Sequence, residues 1–114
     1  MQIQTNTDKN IEGGEALSRH VEETVENSLK RFADRITRVE VHLKDVNSSA
    51  KGGDDDKHCQ MEARLTGMQP ISVTAKAATV DEALDAAADK LENAVSRILD
   101  RQDDRKGRTS FSGD

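Results

Sequence analysis

The chain has 114 residues, and 17 Lys+Arg against 22 Asp+Glu leave a formal charge of −5. That length suits one compact domain, and a hydrophobic share of only 33% requires a thin core, rich here in Ala and Val. A negative balance argues against a nucleic-acid partner unless the cations are sorted in space.

No apolar run reaches the roughly 18 residues that cross a bilayer. The start, Met1-Gln2-Ile3-Gln4-Thr5-Asn6, has neither the charge nor the apolar stretch of a signal peptide. Cys59 has no second cysteine to pair with, so a cytoplasmic location is expected.

In chain order, Ile3 and Thr5 suggest a short first strand. Gly13-Gly14 then opens a helix on which Leu17, Val21, Val25, Leu29, Phe32 and Ile36 recur every three or four residues. Val39, Val41 and Leu43 alternate with Arg38, Glu40, His42 and Lys44, the pattern of a half-buried strand. Asn47 to Asp56 is a polar, acidic loop. A third strand places Cys59, Met61, Ala63 and Leu65 on one face, and Thr66-Gly67-Met68-Gln69-Pro70 reads as a hairpin turn. Ile71, Val73, Ala75 and Ala77 mark a fourth strand. Thr79 with Glu82 three residues on is a capping box, and Leu84, Ala87, Ala88, Leu91, Val95 and Ile98 form the apolar stripe of a second helix. Periodicity fades near Lys106, which predicts a single domain over 1–106 and a flexible C-terminal tail over 107–114.

The order β-α-β-β-β-α predicts an α+β fold, a four-stranded mixed sheet with two roughly parallel helices packed on one face. Its first crossover is expected to be right-handed, between parallel strands. Parallel helices bring their C-terminal ends to one edge. Each helix is acidic early and basic late: Glu15, Glu22, Glu23 and Glu26 precede Lys30, Arg31 and Arg35, while Asp81, Glu82, Asp85, Asp89 and Glu92 precede Arg97, Arg101, Arg105 and Lys106. The expected molecule is bipolar, with one basic end and the Asp54-Asp55-Asp56 loop opposite. The same gradient also complements the helix dipole, and Glu26–Lys30 and Asp34–Arg38 are favourable i,i+4 pairs, so solubility and stability alone offer a second explanation. Angular position separates the two. At about 100° per residue, Lys90, Arg97 and Arg101 fall within about 40° of one another. His20, Thr24, Asn27, Arg31 and Arg35 form a similar flank on the first helix, and both flanks are free of carboxylates. A merely solubilising face mixes both signs, whereas a phosphate-binding one excludes carboxylates.

These features resemble the ribosome hibernation-promoting and ribosome-associated inhibitor family, also called sigma-54 modulation proteins, over about residues 1–105. The clearest match is Asp89-Lys90-Leu91-Glu92 followed by Arg97 and Arg101. Ala83-Leu84, Leu17, Arg19-His20-Val21, and the stretch from Lys30 to Thr37 fit as well. The resemblance implies a short-form hibernation factor, active in stress or stationary phase. It would bind the small ribosomal subunit between head and body, overlap the mRNA and tRNA sites, and contact 16S rRNA with basic side chains. By position those are Lys76, Lys90, Arg97 and Arg101, with His20, Lys30, Arg31 and Arg35 completing the expected RNA-binding set. Thr24, Asn27 and Asn93 stand where many members carry Lys or Arg, and Asp81 where Tyr is frequent. Fewer phosphate contacts imply weaker, less salt-sensitive binding.

Phe32 and Phe111 are the only aromatics, so phosphate and shape reading of folded RNA is favoured over base stacking. No phosphate-binding Gly-rich loop, dinucleotide fingerprint or zinc spacing occurs. His58 and Cys59 are adjacent in a strand and face opposite sides; His42 and His58 are expected across from each other as solvated sheet-face residues. No enzyme, cofactor, metal or small-molecule substrate is expected, and the free protein is expected to be a monomer. The rival reading is a protein–protein adaptor of the same fold that has lost ribosome affinity. The sequence leaves open whether the uncovered sheet face, with Arg38, His42, Lys44, Arg64 and Lys76, touches RNA.

Overall fold

The computed structural model describes residues 1–9, 11, 13–46 and 56–112, with side chains as far as 102 in the last stretch. Strand β1 (Gln2–Thr7) leads through Gly13 and Gly14 into helix α1 (Glu15–Leu29). A 3-10 turn (Lys30–Phe32) delivers the chain to strand β2 (Ile36–Asp45), followed by β3 (Lys57–Leu65), β4 (Ile71–Ala77) and helix α2 (Val80–Ser112). Gly14, at φ 141°, occupies a backbone region that side chains strain to enter, and there the chain turns into α1. Gly67, at φ 73°, does the same for the β3–β4 hairpin.

The sheet order is β1-β2-β3-β4, with β1 parallel to β2 and the other neighbours antiparallel. Period-two alternation turns Val39, Val41, Leu43, Cys59, Met61, Ala63, Leu65, Ile71 and Ala75 inward, all buried. On α2 the buried stripe is Ala83, Leu84, Ala87, Ala88, Leu91, Val95 and Leu99. Its alanines let the helix lie close over β3 and β4, while α1 contributes Val21, Val25 and Leu29 and packs beside α2 and β1. Leu99 takes the fully inward position and Ile98, expected there from the periodicity, is half-buried.

Two contacts show that the helices run parallel. His20 meets Asp81, and eleven residues later Arg31 meets Glu92. The fold therefore matches the sheet, the element order and the one-sided packing expected from the pattern.

The first helix is shorter than its spacing implies. It ends at Leu29; Phe32 lies in the 3-10 turn and Ile36 is the first residue of β2, paired with Leu65. Ile36 and Val39 both point inward because β2 carries a bulge between them. Thr37 is the extra residue, and its hydroxyl donates to the Arg64 carbonyl at 3.0 Å. An apolar residue seven positions after Leu29 thus looked like two more helical turns. Arg38 is consequently a strand residue, held by Glu40 at 3.2 Å rather than by Asp34. The backbone of α2 stays helical past Lys106, where the periodicity fades. Of the acidic loop, positions 47–55 lie outside the described residues, and Asp56 binds the Lys57 ammonium at 3.1 Å. Asp56 first, and then Asp45, hold Lys57 above its ordinary pKa.

The Thr79 hydroxyl accepts the Glu82 N–H at 3.1 Å and donates to the Glu82 carboxylate at 3.0 Å. A Thr79→Ala substitution is expected to cost about 1 kcal/mol, read as a fall of about 4 °C in thermal unfolding. Cys59 is fully buried, and burial pushes its thiol from 9.0 up to about 12. The native protein should resist a thiol reagent that labels the unfolded chain. The unfolded thiol deprotonates near its ordinary value while the native one keeps its proton, so this group's contribution to stability is lost as pH rises from 9.0 towards about 12. Denaturant titrations of wild type and Cys59→Ala across that window measure the difference.

Candidate nucleic-acid interface

The expected RNA-binding residues do not form one stripe. His20 and Arg31 face the seam between the helices, where α2 supplies the acids that α1 lacks. The His20 imidazole Nε2 lies 3.4 Å from Asp81. The Arg31 guanidinium lies 3.7 Å from Glu92 and 3.5 Å from the Ser96 hydroxyl, and stacks 4.5 Å over the Phe32 ring. The acid-free flank read from α1 alone is therefore closed by its neighbour. Arg35 is not helical; it sits half-buried in the turn before β2, where its carbonyl accepts the Thr66 N–H at 3.1 Å. Lys30 caps the C-terminal end of α1 and is exposed.

On α2, Lys90, Arg97 and Arg101 do share a flank, as the spacing requires. It is the flank turned away from α1, because Lys90 donates to the Thr74 carbonyl on β4 at 2.8 Å, whereas Glu92 and Ser96 on the other flank reach Arg31. Helical geometry places Asp89 and Asp100 on the crown between these flanks and Asp85 on the flank of Glu92 and Ser96. Parallel helices do bring Lys30, Arg31, Arg35, Arg97 and Arg101 to one end of the molecule, but acids lie among them. Within this group, Lys30, Arg35, Arg97 and Arg101 have no side-chain partner among the described residues.

Lys76 stands elsewhere. On β4 it alternates with the inward Ala75 and Ala77, so it projects from the sheet face that no helix covers. Register aligns that face in cross-strand rows. Arg38 lies opposite Arg64, Glu40 opposite Glu62, and His42 opposite Gln60. His58 lies between Lys44 on β2 and Lys76 on β4. His42 and His58 are therefore not cross-strand partners, because the β2–β3 register is offset by two residues from the one that would pair them. Both acids of the face are engaged by their own strands: Glu40 by Arg38 at 3.2 Å and His42 at 3.5 Å, Glu62 by Arg64 at 3.6 Å. Arg38 also donates to the Gln4 side-chain carbonyl. Lys44, His58 and Lys76 have no side-chain partner among the described residues.

The cations thus divide between the C-terminal end of the helices and the open sheet face. The molecule is therefore not bipolar with a single basic end. The signal for the second group was the outward half of each strand's alternation, and it acquires meaning only once the register sets Lys44, His58 and Lys76 side by side. Among the described residues no three His, Cys, Asp or Glu side chains are grouped so as to hold a metal ion, and no helix is long and apolar enough to cross a membrane.

Solved structures share this fold. The N-terminal domain of Protein Y from Thermus thermophilus superposes with a TM-score of 0.68 at 24% identity, covering 86% of this chain and 99% of that one. A ribosomal subunit interface protein from Coxiella burnetii gives 0.63 at 22% identity, covering 87% and 98%. Compared with curated proteins, the sequence gives no significant match. The family model described as sigma 54 modulation protein / S30EA ribosomal protein matches residues 4–103, nearly the whole chain, and the protein belongs to that family.

Proposed function

We propose that this protein is a ribosome-associated translation inhibitor, a hibernation factor that binds the small subunit through 16S rRNA near the decoding site and blocks mRNA and tRNA. The observation that carries the reading is family membership over residues 4–103, in a family described as containing a ribosomal protein. The printed description of the Coxiella burnetii structure, a subunit interface protein, is in keeping with it.

The geometry supports a binding role of this kind. The exposed cations Lys30, Arg97 and Arg101 and the half-buried Arg35 gather at one end with their charge uncommitted to any described partner. Lys and Arg carried on a packed framework need no backbone ordering to meet fixed phosphates, so the ordering cost is confined to the side chains themselves. Phe32, the one aromatic among the described side chains, is half-buried beneath Arg31 and is not placed to stack on a base, which favours backbone and shape contacts as the mode of recognition. The mechanism is steric. A wedge with a packed core fills space that mRNA and tRNA need, with no reaction performed and a location in the cytoplasm, where ribosomes are.

The rival, a protein–protein adaptor that has lost ribosome affinity, draws on the acids along the crown of α2 and on the pairing of Arg31 with Glu92. Charge reversal separates the two. Arg97→Glu with Arg101→Glu alters two exposed side chains and should leave thermal stability unchanged. The first reading predicts at least about tenfold weaker binding to 30S subunits in sedimentation at low salt. Unchanged binding, or no binding by the wild type under the same conditions, contradicts it.

A further inference from the structure

The cross-strand row Lys44–His58–Lys76 has no explanation in the stability of the fold. Lys44 and Lys76 flank one imidazole two strand spacings apart, a separation at which two unpaired cations repel weakly and gain nothing from each other. In this protein the other basic residues of the sheet are engaged by partners. Arg38 and Arg64 face each other across β2 and β3, but each is held by a glutamate of its own strand. Lys57, on the covered face, sits between Asp45 and Asp56. Lys90 is tied to a β4 carbonyl. Only at the end of the open face do two lysines flank a histidine with no carboxylate among the described residues against any of them.

We infer that this row is a phosphate-binding site, through which the uncovered face of the sheet grips the backbone of folded RNA. The inference rests on the reading that the partner is ribosomal RNA and adds a second contact surface to it, on the opposite side of the sheet from Arg97 and Arg101. Strands stand roughly 5 Å apart in a sheet, so Lys44 and Lys76 are separated by about 10 Å at their backbones, with the imidazole of His58 between them. Long, flexible ammonium side chains at that separation converge on one phosphate or divide between neighbouring ones. Polar side chains extend the surface without adding an unpaired acid. Gln60 and Thr74 continue the adjoining row. Beyond Lys44 and His42 lies a shallow cleft of about 150 Å³ lined by Asn6, Thr7, Asp8, His42, Leu43 and Lys44. The Asp8 carboxylate there accepts the Asp45 N–H at 3.3 Å.

A functional pair of lysines has a signature that a structural one lacks: removing it weakens binding without weakening the fold. The test compares wild type, Lys44→Gln/Lys76→Gln and Lys44→Arg/Lys76→Arg for affinity to 30S subunits and to a bare, structured 16S rRNA fragment across a salt series, with thermal unfolding of each. The glutamine pair is expected to bind about tenfold more weakly at about 0.1 M salt. Its slope of log affinity against log salt should be shallower by about 2, one for each lost cation. Its unfolding temperature should be equal to or above that of the wild type, and the arginine pair should bind like the wild type. A glutamine pair with wild-type affinity and slope overturns the inference and leaves the ribosome reading standing. Wild type that binds rRNA but not subunits overturns the ribosome reading, and the slopes on rRNA then decide the row. Wild type that binds neither overturns both.

Discussion

Both helices pack on the same face of the sheet, and the distribution of charge over the molecule depends on that constraint. A thin core of Ala, Val and Leu has enough apolar surface to fill one interface and none to spare for a second. The inward residues of the strands meet the stripe of α2 and the three buried residues of α1. The outward residues of β2, β3 and β4 are left in water, and every one of them is polar or charged. One-sided burial converts a period-two sequence pattern into two chemically distinct surfaces.

A net charge of −5 says little about either surface. Among the described residues most acids lie on the helices, where Asp89 and Asp100 crown α2 and Asp81 and Glu92 reach the neighbouring helix. The open sheet face carries Arg38, Lys44, Arg64 and Lys76 against Glu40 and Glu62, with both glutamates already paired. Because screening in physiological salt confines charge effects to about 8 Å, a polyanion approaching that face meets its local cations and not the sum over the chain.

Much of the fold was legible in the sequence because the signals were local. Alternation located the strands, three-and-four spacing located the helices, and Thr79 with Glu82 marked the start of α2 within a residue. Where the reading failed, the cause was information held by a neighbour. Phe32 and Ile36 keep helical spacing, yet pairing of Ile36 with Leu65 and the bulge at Thr37 place it in a strand. His20 and Arg31 look acid-free along α1, yet Asp81 and Glu92 sit on the helix packed beside it. The common end for Lys30, Arg35, Arg97 and Arg101 followed from topology and is present, but their separation by the crown of α2 follows from which flank turns towards α1. The row of Lys44, His58 and Lys76 joins residues from three strands, and a register offset of two positions decides whether it exists.

The central claim is that an acidic chain grips ribosomal RNA through cations its fold has sorted and left unpaired. Lysine-directed chemical footprinting of the protein alone and bound to 30S subunits tests it most directly. The account predicts protection of Lys30, Lys44 and Lys76 on binding, with little change at Lys57, which Asp45 and Asp56 already hold. Equal labelling of Lys30, Lys44 and Lys76 in the free and subunit-bound protein would contradict it.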